Sequence, residues 1–176
     1  GADITLEHYM SRGFYGQVNG SLFKAEYRGL DKKWRNQLYD RGYMLKVLGG
    51  KEWMLGKRKQ NVFNVSVKYT LQGGLRHTPI DVAAMKANVA AGIINDQPIF
   101  KEDEAMSLQF SPTSILDLTV SYKINCKKVS HTIAFEGVNI LQHESPYAER
   151  FDFVTGELRT DKSGISLPNV FYRIDF

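Results

Sequence analysis

The chain carries a single cysteine, Cys126, among its 176 residues. No internal disulfide can form, and no multi-cysteine metal site can be assembled. Histidine is almost as scarce: His8, His77, His131 and His143 stand apart, with no i, i+4 pair and no cysteine at metal-ligand spacing. Ser-His-Asp combinations can be drawn through the sequence, as through almost any chain of this size, and no spacing singles one out. Gly49-Gly50 is followed neither by Gly-Lys-Ser or Gly-Lys-Thr nor by a helical pattern, which excludes a phosphate loop and leaves a strand-to-turn reversal as its plain role. No catalytic residue, no metal ligand and no cofactor is therefore assigned, and the expectation is that the protein is not an enzyme.

Long apolar runs are also missing, since nothing approaches the ~18 consecutive residues of a membrane helix. Charge of one sign is not in large excess: 23 Lys and Arg face 19 Asp and Glu, a net of +4. Lys57, Arg58 and Lys59 form the only tight basic cluster, which reads as a solvated turn, and no basic run interleaved with aromatics argues for nucleic acid. The mean hydropathy of −0.33 ordinarily indicates a water-soluble chain. Strands that hide apolar residues in every second position give the same average, so the value excludes little. Gly1 stands where an initiator Met would, with no leader pattern behind it, and the expectation is a piece of a longer mature chain. Length favours one domain over residues 1–176.

What is abundant is alternation. From Asn61 to Gln72, Phe63, Val65, Val67, Tyr69 and Leu71 alternate with Asn64, Ser66, Lys68, Thr70 and Gln72. From Ile115 to Asn125, Leu116, Leu118, Val120, Tyr122 and Ile124 oppose Asp117, Thr119, Ser121, Lys123 and Asn125. Phe14 to Leu22 repeats the pattern, and weaker strands are expected at Asp3 to Met10, Gln37 to Leu48 and Val129 to Leu141. At the end of the chain Val170, Tyr172, Ile174 and Phe176 alternate with Phe171, Arg173 and Asp175. The clean strands approach the ~9 to 11 residues that a tilted strand needs to cross a bilayer, against about five or six in an ordinary soluble strand.

The connections alternate in length as well. Short turns are expected at Ser11 to Gly13 and Asn125 to Val129, and long loops at Ala25 to Asn36, Gly73 to Ser114 and Leu141 to Asn169; Gly49 to Gln60 is the one connection longer than its parity suggests. Outer-membrane barrels have short periplasmic turns and long outer loops. Seven spanning strands are odd, and bacterial single-chain barrels close with an even number, so further strands are expected N-terminal to this region. Within the long loops, Thr78, Pro79 and Asp81 open an alanine-rich run to Ala91, stopped by Gly92, which predicts a helix capped by Thr78 or Asp81. Phe151 to Thr160, with Thr155 and Gly156 at its centre, predicts a small hairpin. The fold class expected is all-β, an antiparallel up-and-down meander forming a segment of a transmembrane β-barrel, with one short helix in an outer loop.

An ordered set of segments then resembles the C-terminal barrel region of TonB-dependent outer-membrane receptors, in the subgroup with a carboxypeptidase-regulatory-like N-terminal domain. It comprises Leu6, Tyr9 and Met10, Gly20 to Phe23, Lys32 to Arg35, Gly49-Gly50-Lys51-Glu52-Trp53, Pro79-Ile80-Asp81, Asp117 to Lys123 and Leu167 to Phe176. The resemblance covers nearly the whole chain and rests chiefly on Gly49 to Trp53 and the aromatic terminus. It implies a large barrel of about 22 strands around a plug domain, in the outer membrane of a Gram-negative bacterium. Such a receptor imports a scarce solute too large for porins, such as a siderophore, cobalamin, oligosaccharide or peptide. The partners implied are outer-membrane lipid, the plug, the TonB complex acting through the plug, the imported solute, and the barrel-assembly machinery, which would read Val170, Tyr172, Ile174 and Phe176 as its signal. The plug, TonB box and regulatory domain are not among these residues.

Residue roles follow in the same spirit. Lys68, Asp117, Lys123 and Arg173, with Asp175, are expected on the lumen face, where they line the solute path or simply meet water. Tyr69, Tyr122 and Tyr172 fit the aromatic belts at the headgroup level. Tyr27, Trp34, His77 and Tyr147 are the loop residues that could meet solute by stacking or hydrogen bonding. Two other architectures share the alternation: a soluble lipocalin-like barrel with its apolar face turned inward around a small apolar ligand, and a complete small outer-membrane barrel, which needs an eighth spanning strand.

Overall fold

The computed structural model describes residues 1–93 and 97–176. Seven long strands follow one another as an antiparallel meander: β1 (Ala2–Ser11), β2 (Phe14–Leu22), β5 (Tyr43–Leu55), β6 (Asn61–Gln72), β9 (Thr113–Asn125), β10 (Ser130–Val138) and β13 (Leu167–Asp175). Short elements fill the connections: β3 (Glu26–Arg28) and β4 (Trp34–Asn36), β7 (Arg76–His77) and β8 (Leu108–Gln109), helix α1 (Val82–Ala90), and β11 (Ser145–Phe151) with β12 (Leu158–Ser163). The chain is mostly β, as its alternation predicts. β1 and β13 do not pair with each other, so the sheet is open.

Register brings the alternating faces into agreement across all seven strands. One row runs Phe14, Lys51, Val65, Val120, Phe135, Val170, and the next runs Trp53, Phe63, Tyr122, Ile133, Tyr172. A third begins on Leu6, Val18, Val47, Tyr69 and Leu116. These positions all lie on one face, because side chains two apart on a strand share a side. That face carries no acidic residue and one cation, Lys51, whose Nζ lies 4.1 Å from the Phe14 ring and 5.1 Å from the Trp53 ring. The other face is hydrated: Lys68 pairs with Asp117 at 2.8 Å, Gln17 donates to Glu7 at 3.0 Å, and Asn19 donates to Thr5 at 2.7 Å.

Among the described residues no layer packs over the apolar face. Among the described residues the buried hydrophobic side chains are Ile80, Met85, Phe110 and Phe151 in the connections, and Ala134 on the polar face of β10. Ile4, Leu6, Phe14, Phe135, Val170 and Tyr172 are all exposed.

The connections fall into two classes by end of the sheet. Residues 12–13, 56–60 and 126–129 turn the chain at one end, and residues 23–42, 73–112 and 139–166 at the other. Arg12 and Gly13 both have positive φ, the geometry a two-residue hairpin loop requires.

Several boundaries differ from expectation. The strand expected at Gln37 to Leu48 is β5, from Tyr43 to Leu55; residues 37–42 belong to the preceding loop because the Asp40 side chain is buried there in loop hydrogen bonds. Gly49-Gly50 is therefore no reversal: both glycines sit inside β5, opposite Gly16 and Tyr15. The turn expected from Gly49 shortens to 56–60, and the one exception to the alternation of turn lengths disappears. Asp81, not Thr78, caps α1, its Oδ1 accepting from the Ala84 N–H at 2.9 Å. The hairpin expected within Phe151 to Thr160 is longer, its strands lying at β11 and β12 around a turn where Asp152 accepts from the Val154 and Thr155 N–H groups. Phe176 lies just beyond β13 and is fully exposed.

Candidate functional site

The three long connections meet at one end of the sheet and hold one another. Asp40 anchors the first: its Oδ1 accepts from the Ala25 N–H at 2.9 Å, and Arg76 of the second connection donates to Oδ2 at 3.3 Å and to the Asp40 carbonyl at 3.1 Å. The Arg76 N–H donates to the Leu38 carbonyl at 3.0 Å, and Arg41 returns the contact by donating to the Gly73 carbonyl at 2.8 Å. Burial holds the Arg41 guanidinium below the usual arginine range. Gln109 donates to both the Arg41 and Gly74 carbonyls at 3.1 Å. This closeness needs glycine: a Cβ on Gly73 would lie 1.9 Å from the Arg41 carbonyl oxygen, and one on Gly74 would lie 2.0 Å from that of Phe110.

The third connection docks through apolar packing. Helix α1 lays Met85 against Ile80 and Phe151, with Val82, Val89 and Phe153 around them. His77 stacks on Phe110 with 3.9 Å between ring centroids, and its Nε2 stands 3.5 Å from Glu149 Oε2. Neither ring nitrogen of His77 has a hydrogen-bond partner.

Where the three meet, a hollow of about 320 Å³ opens. Leu38 lines it from the first connection, His77, Phe100 and Met106 among others from the second, and Tyr147 and Glu149 from the third. The exposed lining is chiefly apolar, with the carboxylates of Glu102 and Glu149 and the Arg76 guanidinium among it, which suits a solute with an apolar body and a small number of polar groups. It offers no nucleophile beside a base, and among the described residues no group of three His, Cys, Asp or Glu could hold a metal ion.

Of the four loop residues singled out in the sequence, His77 and Tyr147 line this hollow together. Tyr27 and Trp34 do not; they belong to the β3–β4 hairpin, where the Arg28 guanidinium lies 6.0 Å from the Trp34 ring. Trp34 instead edges a smaller hollow of about 220 Å³ with Asp103 and Ser107. Lys68, Asp117, Lys123 and Arg173 share the polar face of the sheet, Lys123 and Arg173 both opposite Thr132. Val170, Tyr172 and Ile174 lie on the apolar face of β13, where the Tyr172 hydroxyl is 2.6 Å from His131 Nδ1.

The Asp40–Arg76 pair was not found from sequence. Its signal was Asp40-Arg41-Gly42, a polar turn cluster set between alternating runs, which marks a loop ahead of β5. No family model, curated protein or solved structure matches the chain.

Proposed function

We propose that this chain is the wall and outer-loop portion of a TonB-dependent receptor, in the outer membrane of a Gram-negative bacterium. The observation that carries the reading is the uncovered apolar face, continuous across seven strands of 9 to 13 residues, with the hydrated face behind it. Each strand is long enough to cross a bilayer when tilted. The apolar face would meet lipid, and Lys68, Asp117, Lys123 and Arg173 would face the lumen and the plug. The short turns would stand in the periplasm and the interlocked connections outside. The hollow at His77 and Tyr147 would contribute to capture of a scarce solute of the siderophore, cobalamin, oligosaccharide or peptide kind. Movement through the barrel would be driven by the TonB complex acting on the plug, and Val170, Tyr172, Ile174 and Phe176 would address the assembly machinery.

The lipocalin-like reading needs the apolar face to enclose a core, and no side chain on that face is buried among the described residues. The deciding experiment is gel filtration with light scattering and far-UV circular dichroism, with and without detergent. Aggregation in buffer, relieved by detergent to a β-rich species, is the expected result. A compact β-rich monomer in plain buffer would overturn the receptor reading.

A further inference from the structure

The two ends of the sheet differ in charge as much as in loop length. The three short turns carry Arg12, then Lys57, Arg58 and Lys59, then Lys127 and Lys128, with no acidic residue among them. All six side chains are exposed, and none forms an ion pair among the described residues. At the opposite end carboxylates are interspersed with the cations: Lys24 pairs with Glu26, Arg35 with Asp31, Arg76 with Asp40, Lys101 with Glu104, Arg150 with Asp161 and Arg159 with Asp152, while others there, such as Lys32, Lys33, Lys86 and Lys162, form no ion pair among the described residues. Setting the six turn cations aside leaves 17 Lys and Arg against 19 Asp and Glu, so the net positive charge of the chain resides in these turns. The nearby carboxylates are engaged, Glu52 accepting from Asn64 at 3.4 Å and Asp175 lying 3.4 Å from Arg173.

Geometry concentrates these charges. Successive hairpins are two strands apart, roughly 10 Å at the usual strand spacing, which is comparable to the Debye length at physiological ionic strength. The turns therefore act as one basic rim. Directly behind the rim, the apolar face changes character: Trp53, Phe63, Tyr122 and Tyr172 form a belt, the Tyr122 hydroxyl accepts from Asn61 at 3.3 Å, and Lys51 lies over Phe14 and Trp53. Aromatic rings with polar tips and a lysine lying along apolar surface belong at a hydrocarbon–headgroup boundary.

We infer that this rim binds the anionic headgroups of a phospholipid leaflet, fixing which end of the sheet faces that leaflet. The inference rests on the receptor reading for the apolar face but draws on a separate observation, turns that carry six cations and no carboxylate. Each cation within a Debye length of an anionic surface adds to binding, and the effect weakens with salt.

The test uses the whole chain, diluted from detergent into phosphatidylcholine vesicles with and without about one-third phosphatidylglycerol. One variant combines Lys57→Gln, Arg58→Gln, Lys59→Asn, Lys127→Gln and Lys128→Gln; asparagine is chosen at 59 because Lys59 has positive φ. A control removes as much charge from the other end, with Lys24→Gln, Lys32→Gln, Lys33→Gln, Lys101→Gln and Arg159→Gln. The expected result is binding to the anionic vesicles more than about tenfold tighter than to neutral ones, a preference that decreases with salt, is abolished in the turn variant and is kept in the control. Equal binding to both vesicles, or equal loss in both variants, would overturn the inference while leaving the receptor reading intact. Anionic preference that salt reverses completely, with no salt-resistant insertion, would support the rim and sink the receptor reading. Binding to neither vesicle would sink both.

Discussion

Gly49 and Gly50 are consecutive in β5, yet a methyl group added to each would meet different surroundings. Nothing lies within 4 Å of a Cβ on Gly49, whereas one on Gly50 would be 2.2 Å from the Tyr15 ring, which covers that position and accepts a hydrogen bond from Asn64 at 3.0 Å. Gly49→Ala is expected to be neutral or stabilising by about 0.5 kcal/mol, because alanine is the stiffer residue in a strand. Gly50→Ala pushes Tyr15 off its perch and is expected to cost about 1–3 kcal/mol. Urea unfolding of both variants in the same detergent separates them; equal midpoints would refute the packing argument. Asp40 is the other decisive single residue. Asp40→Ala leaves the Ala25 N–H without its acceptor and the Arg76 guanidinium without its carboxylate, bonded only to the residue-40 carbonyl, a loss on the order of 3 kcal/mol. Amide exchange at Arg76 should accelerate in this variant while exchange in the middle of β6 stays unchanged.

At the scale of the element, legibility followed how faithfully each strand kept its alternation. β6 and β9 were readable almost to the residue because neither apolar face is broken by a charge. β5 was misplaced because Gly49 and Gly50 contribute no side chain to the pattern and Lys51 puts a charge on the apolar side, where only its stacking on Phe14 and Trp53 accommodates it. The β3–β4 hairpin escaped notice since its stabilisation is local: Asp31 accepts from Arg35 and from the Lys33 N–H. Those bonds hold the Asp31 carboxyl down at about 2, the Arg35 hydrogen bond first and the Lys33 amide second. A folded-state pKa below the ordinary 3.8 means that Asp31 supports the hairpin fully above that value and loses its effect as pH falls through 2. Trp34 fluorescence should therefore hold steady down to about pH 4 and change below it, and Asp31→Asn should abolish the step. The terminal strand makes a different prediction, which follows from the proposed receptor reading: deleting Phe176 should lower the outer-membrane yield of the protein without lowering its synthesis. Unchanged yield would count against the proposed assembly signal.

For the whole molecule, the alternation of short and long connections was legible because it depends only on strand parity. The hollow was not, because it is built from side chains separated by the full length of two loops: Leu38, His77 and Tyr147 carry no common motif, and only the docking of Arg76 on Asp40 and of Phe151 on Met85 brings them together. If the proposed receptor reading holds, His77→Ala and Tyr147→Phe should each weaken solute uptake at limiting concentration, whereas Trp34→Ala should affect it less. The same docking has a mechanical meaning. The seven strands are staves bound by unlike hoops: at the loop end a network at Asp40, Arg41 and Gln109 ties two whole connections together, while at the opposite rim the ties between neighbouring hairpins are few, the Glu52 N–H donating to the Gly13 carbonyl at 2.7 Å and Gln60 donating to the Asn125 carbonyl at 3.3 Å. Fanning and changes of curvature are therefore resisted less at the rim of short turns, and amide exchange should quicken toward the Gly56 ends of β5 and β6 relative to their Tyr43 and Gln72 ends.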